Sequence, residues 1–210
     1  MKIVITGGSG MVGTAFDNLR ENHDFVLLSS KECNLLEEKP FANCLLKEKP
    51  DAVIHLAAKV GGVKGNSEYV ADFYSENVRI NCNVLNVCNY LGIKKVVSLL
   101  STCVYPDNVS YPLTEDQIHN GEPHPSNFGY AYAKRMLDVH SRALRQQYGR
   151  NYICAVPNNL YGLNDNFDLE NGHVIPAIIR KIWEAKTKKI TPVFWGDGTP
   201  LREFTFADDI

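Results

Sequence analysis

Most features that assign a chain to a special class are missing from these 210 residues. No stretch approaches the roughly 20 consecutive apolar residues of a membrane span. Lysine and arginine total 22 against 24 acidic residues, a net charge of −2, so no general attraction draws the chain to nucleic acid or to a membrane. Any anion it binds must be held locally. The six cysteines (Cys33, Cys44, Cys82, Cys88, Cys103 and Cys154) contain no CxxC pair and no zinc-like spacing, which predicts reduced thiols, most of them buried, and no metal site. Only four residues separate Met1-Lys2 from Gly7-Gly8, too few for the apolar core of a secretion signal. The single sequon, Asn108-Val109-Ser110, is expected by chance. A cytoplasmic location is therefore expected.

What remains is an ordinary globular composition, 44% hydrophobic and 22% charged, in which strand-like and helix-like runs alternate. Strands are predicted over 2–6, 25–29, 52–57, 94–100 and 152–156, and helices over 11–22, 38–49, 66–91 and 128–148. Alternation of this kind, with glycines at the first turn, predicts an α/β fold: a doubly wound parallel sheet of Rossmann type with right-handed crossovers. Residues 105–127 and 158–172 are long connections rich in Asn, Asp, Pro and Gly. Both follow the carboxyl end of a strand, where such sheets bind ligands. A helix over 173–186, short strands over 191–195 and 202–206 and a helix start at 207–210 complete the pattern. Residues 1–171 are read as the dinucleotide-binding domain and 172–210 as the beginning of a substrate-binding region. Because the last helix stops as it opens, the chain reads as truncated.

Gly7-Gly8-Ser9-Gly10-Met11-Val12-Gly13 lies between the first strand and first helix. Small residues there let backbone approach a pyrophosphate, and the helix start offers unpaired N–H groups. An NAD site usually has a carboxylate at the end of the second strand to hold the ribose 2′-hydroxyl. Here that place holds Ser29, Ser30 and Lys31. Two hydroxyls and a cation suit a 2′-phosphate, so NADP (NADPH) is preferred; Lys31 as a solvated loop charge is the alternative. Further on, Ser101 and Cys103 follow the fourth strand, and Tyr130 and Lys134 share one helix face four residues apart. A phenol, an ammonium and a hydroxyl that converge suit hydride transfer to a sugar ketone, and the thiol adds a second acid or base.

These residues resemble the extended short-chain dehydrogenase/reductase family over the whole chain. Local matches narrow the resemblance to the nucleotide-sugar epimerase/reductases that convert GDP-4-keto-6-deoxy-D-mannose to GDP-L-fucose. They include Ala57-Ala58-Lys59-Val60-Gly61-Gly62, Ser101-Thr102-Cys103-Val104-Tyr105-Pro106 and Asn127-Phe128-Gly129-Tyr130-Ala131-Tyr132-Ala133-Lys134. Gly172-His173-Val174-Ile175-Pro176 and Thr199-Pro200-Leu201-Arg202-Glu203-Phe204 continue the series. The resemblance implies that Tyr130 protonates the 4-keto oxygen, that Ser101 hydrogen-bonds it, and that Lys134 holds the nicotinamide ribose and lowers the phenol pKa. Cys103 and His173 are implied as the proton-moving pair at C3 and C5. It also implies that Leu99, Leu100, Thr102 and Lys134 face the cofactor on one side and Pro157, Asn158, Asn159, Leu160 and His173 on another. Lys181, Trp195 and Arg202 are expected at the GDP-sugar, and the protein is expected to be a homodimer.

Simpler roles stay open at this point: a packed Tyr130, a buried Cys103, a helix-capping His173 and a core Trp195. So do two other functions, a different nucleotide-sugar epimerase or dehydratase, and a non-catalytic NADP-binding dimer module. Dehydratases typically carry an Asp-Glu pair where this chain has Cys103, which argues against the first. Asn158 and Leu163-Asn164 depart from the family pattern where Thr and Pro-His are usual.

Overall fold

The computed structural model describes residues 1–21, 23–169 and 172–210; of Val63 and Lys64 only the backbone is described. Among the described residues, five strands form one parallel sheet in the order β2-β1-β3-β4-β5. They are β1 (Lys2–Thr6), β2 (Asp24–Leu28), β3 (Ala52–His55), β4 (Lys95–Leu99) and β5 (Asn151–Ala155). Apolar, β-branched runs on both faces are what a sheet covered on two sides requires. The order reverses direction between β1 and β3, so the crevice at the carboxyl ends opens beside the glycine turn.

One face carries α2 (Glu38–Glu48), α4 (Val70–Tyr90) and α5 (Phe128–Tyr148). Their inward stripes, including Phe41, Leu45, Val84, Leu85, Leu137 and Leu144, pack on Val4, Val53, Val96 and Tyr152 to make the main core. The opposite face is smaller: Ile3, Ile5, Phe25 and Ala52 are buried there, with Phe16 packed against them. The helix expected over 11–22 is shorter than its apolar pattern suggested. α1 covers only Met11–Ala15 and tightens into a 3₁₀ turn over Phe16–Leu19, and Asn22 lies outside the described residues. The helix expected over 66–91 is split into α3 (Val63–Glu68) and α4 by Tyr69, whose φ of −114° and ψ of 42° break the helical path.

After β5 the chain forms β6 (Asn159–Tyr161), α6 (Val174–Lys188) and β7 (Phe204–Phe206), and β6 pairs in parallel with β7. The strand expected over 191–195 does not form, because no neighbouring strand pairs with it among the described residues; 202–206 is extended only over β7. A 3₁₀ turn over Ala207–Asp209 follows, and Asn18 Nδ2 donates to Asp208 Oδ2 at 2.8 Å, drawing this segment back beside α1.

A chain of buried hydrogen bonds crosses the main core. Thr6 Oγ1 lies 2.8 Å from His55 Nδ1, His55 Nε2 lies 3.1 Å from Asn81 Oδ1, and Asn81 Nδ2 donates to the Ala133 carbonyl at 2.9 Å. Since Asn81 spends its donor on Ala133, its oxygen must accept from His55 Nε2–H. His55 Nδ1 then accepts from Thr6, whose oxygen accepts from Ala57 N–H at 3.3 Å. The imidazole is thus neutral with one fixed tautomer. Burial first, then the Lys134 charge, push its pKa down to about 3, against the opposing Asn81 bond. A folded pKa below the unfolded value makes stability fullest above pH 6.5 and lost progressively as pH falls toward 3. We expect this group alone to make the protein about 2 kcal/mol less stable at pH 5 than at pH 7.5. Urea denaturation at both pH values should show a smaller difference in His55→Leu than in the parent.

Candidate active site

The crevice begins at the turn after β1. Gly7 has φ of +74°, and a Cβ there would lie 2.8 Å from Ala57 N. A Cβ on Gly13 would lie 2.5 Å from Gly7 O and 2.6 Å from Gly8 Cα. The turn is therefore folded tightly upon itself, held by Gly8 N–H to Leu28 O at 2.9 Å and Gly10 N–H to Gly7 O at 3.0 Å. Ser9 and Gly10 are exposed, with Met11 and Val12 half-buried behind them. This is a bare-backbone cradle of the kind that accepts a pyrophosphate. At the end of β2, Ser29 donates through N–H and Oγ to Glu32 Oε2 at 2.9 and 2.6 Å, and these bonds lower the carboxyl pKa. The Glu32 carboxylate is thus engaged with the turn, while Ser30 and Lys31 are exposed.

β4 ends at Leu99, and Ser101 opens a 3₁₀ turn over Thr102–Val104 by accepting from Cys103 N–H at 3.5 Å. Lys134 is only 2% exposed; its Nζ donates to Leu99 O at 2.8 Å and lies 5.8 Å from the Tyr130 ring centroid. The tie fixes α5 against the end of β4. Tyr130, Lys134, Ser101 and Cys103 are therefore neighbours. Cys103 and Tyr130 sense each other electrostatically, and Ser101, Lys134 and Arg135 all act on the thiol. Leu100, Leu99 and Thr102 are the backbone of this corner.

Electrostatics here differ from the expectation in one respect. Burial is the leading cause at each group. It raises the Tyr130 phenol well above its usual range, with a further push from the Cys103 charge, and lowers Lys134 to about 8. It raises the Cys103 thiol too, while the Ser101 hydrogen bond and the Lys134 and Arg135 charges oppose it. Lys134 was expected to lower the phenol pKa; within this protein desolvation prevails. The phenol is held protonated.

The remaining predicted residues are more dispersed. His173 occupies the N-cap position of α6, is exposed, and makes no side-chain capping bond; among the described residues no hydrogen bond or ion pair joins it to Cys103 or Tyr130. Asn159 Nδ2 donates to Glu203 O at 2.9 Å across the β6–β7 ladder. Asn158 Oδ1 is buried and unpartnered among the described residues, beside half-buried Pro157 and Leu160. Lys181 Nζ sits 5.1 Å from the Trp195 ring centroid and donates to Val193 O at 3.1 Å. Trp195 is 88% exposed, so the core-aromatic alternative is excluded. Arg202 is exposed and its Nη1 donates to Leu201 O at 2.9 Å.

Two buried groups escaped sequence reading, His55 inside a strand run and Arg135 directly after Lys134. A polar residue in a buried strand was a usable signal for the first.

The model of the NAD dependent epimerase/dehydratase family matches residues 3–210. The chain belongs to this family. Among curated relatives within it, a GDP-L-fucose synthase from Dictyostelium discoideum is 43% identical over 213 residues, covering 99% of this chain and 67% of the relative. A probable GDP-L-fucose synthase from Drosophila melanogaster is 41% identical over 222 residues, covering 100% and 69%. A crystal structure of a GDP-L-fucose synthetase from Naegleria fowleri bound to NADP superposes with a TM-score of 0.90 at 39% identity, over 99% of this chain and 69% of that one. The chain thus spans about two thirds of the length of the relatives it matches.

The cradle at Gly7 and Gly13 fits the dinucleotide of this family. Gly13→Ala must open the turn, because an added methyl meets backbone on two sides. We expect dinucleotide affinity, measured by calorimetry, to fall about tenfold or more with the far-ultraviolet circular dichroism kept.

Proposed function

We propose that this chain provides the dinucleotide-binding and catalytic part of an NADPH-dependent 3,5-epimerase/4-reductase that converts GDP-4-keto-6-deoxy-D-mannose to GDP-L-fucose. The observation that carries the reading is the convergence of Tyr130, Lys134, Ser101 and Cys103 at the carboxyl end of β4, beside the glycine cradle. The names and NADP-bound neighbour of the relatives support the substrate and cofactor.

Gly7–Gly13 and Lys134 would hold the cofactor, which when bound would supply hydride. The residues supply the rest. Tyr130, kept protonated by burial, gives its proton to the C4 oxygen as the ketone becomes an alcohol. Ser101 donates a hydrogen bond to the same oxygen. While the ketone persists, protons at C3 and C5 are acidic because their loss gives an enolate, whose oxygen Tyr130 and Ser101 stabilise. Cys103 takes and returns such protons on one face, and His173 serves the other, a thiol and an imidazole on different loops being able to act as base and acid in turn. Lys181 and Trp195 form an exposed cation–aromatic shelf suited to a nucleoside diphosphate, with Arg202 nearby in sequence for a phosphate. On this reading residues 1–171 bind the dinucleotide and 172–210 begin the wall for the sugar nucleotide. Exposed Tyr74, Tyr132, Val139 and Tyr148 on α4 and α5 supply the surface of a homodimer. No helix among the described residues is long and apolar enough to cross a membrane, and a cytoplasmic location is part of the proposal.

Full-length protein incubated with GDP-4-keto-6-deoxymannose and NADPH should lose absorbance at the reduced-nicotinamide band; a flat trace overturns the reading. Tyr130→Phe should slow that loss by about a hundredfold or more while NADPH still binds, whereas a binding module would be indifferent. Cys103→Ser should suppress deuterium uptake from heavy water at C3 and C5, and full exchange in that variant would remove the thiol from the mechanism.

A further inference from the structure

Arg135 follows Lys134 on α5 and is 5% exposed. Its guanidinium joins two separate segments: Nε donates to Val104 O at 2.7 Å, and Nη1 to Gly121 O at 2.8 Å. Nη2 is buried without a partner among the described residues. The Tyr132 ring centroid lies 5.3 Å from the guanidinium carbon. Among the described residues no carboxylate is among the groups acting on it, and although burial lowers its pKa, a guanidinium keeps its charge. A buried cation lacking an acidic partner is expensive, and two carbonyls alone could be tied by a neutral donor. The charge itself therefore calls for an explanation.

Val104 is the residue after Cys103, so the Nε bond fastens the very turn that presents the thiol, while the Nη1 bond fastens the long connection over 105–127. We propose that Arg135 is a positioning residue for proton transfer at the sugar carbons: it clamps the Cys103 turn to the catalytic helix and lays an unpaired positive charge beside the thiolate. The inference rests on the reading of Cys103 as a proton-transfer group. Ser101 from its own turn and Lys134 and Arg135 from α5 act on that thiol, and its charge in turn acts on Tyr130. Lys134 is committed to Leu99 O and to the end of β4, which leaves Arg135 as the cation tied to the turn of Cys103 itself. Burial raises the thiol pKa, and the two cations with Ser101 draw it back.

The test uses full-length protein carrying Arg135→Gln, Arg135→Lys or Cys103→Ser. Alkylation of Cys103 by iodoacetamide is followed against pH by peptide mass spectrometry, alongside deuterium uptake at C3 and C5. In Arg135→Gln the alkylation midpoint should move up by about one pH unit, with exchange at neutral pH slowed about tenfold. Arg135→Lys, which keeps a charge and loses the fork, should return the midpoint toward the parent value. An unchanged midpoint in Arg135→Gln overturns the proposal. So does a midpoint in Arg135→Lys raised by about one pH unit or more above the parent, an outcome that stands even if the glutamine variant does not fold. Retained exchange in Cys103→Ser would instead overturn the functional reading, while the alkylation profiles still report whether Arg135 acts on the thiol.

Discussion

A buried histidine held neutral sits between the two halves of this active site, and the geometry of both halves depends on it. Thr6 closes β1 immediately before the glycine cradle, and Ala133 precedes Lys134 on α5. His55 and Asn81 connect them through buried hydrogen bonds whose donors and acceptors are all matched. In a low-dielectric core such a chain is costly if any link is lost and specific when all are kept. It sets the distance between the cradle and the Tyr130–Lys134 face more firmly than apolar packing alone, which tolerates sliding.

Burial acts on every group of the catalytic corner, but its consequences differ in sign. The phenol and the thiol are pushed toward their neutral, protonated forms, and the lysine toward its neutral, deprotonated form. On the proposed roles, a protonated phenol is ready to donate to a ketone, so its desolvation favours reduction. A protonated thiol is a poor base, so for Cys103 the same desolvation works against proton removal. Lys134 and Arg135 offset that disadvantage by their charge, and Ser101 by a hydrogen bond. One pocket thus leaves both groups protonated at rest, with the thiol the one that its neighbours partly draw back.

The parallel sheet, its strand positions and α5 were legible in the sequence because apolar runs, glycine placement and helical period are local signals. So was the gathering of Ser101, Cys103, Tyr130 and Lys134, since β4 and α5 are adjacent and strand ends share one edge. Residues beyond β5 were less legible. Val193 and Phe194 look strand-like, yet a strand exists only where a partner supplies hydrogen bonds, and partners are set by tertiary arrangement. The break at Tyr69 inside an otherwise continuous helical pattern carries no proline or glycine to announce it. Arg135 was invisible for a related reason: an arginine on an amphipathic helix reads as solvated until the carbonyls of Val104 and Gly121 are seen closing over it.

The buried link from Thr6 to Ala133 carries no proton between the two halves of the crevice. Every hydrogen along that link is fixed by its neighbours, and the last member is an amide whose nitrogen has nothing to pass on. It is a strut, unable to serve as a wire. On the proposed role of Tyr130, the proton it gives up is therefore not restored through this link from the cradle side.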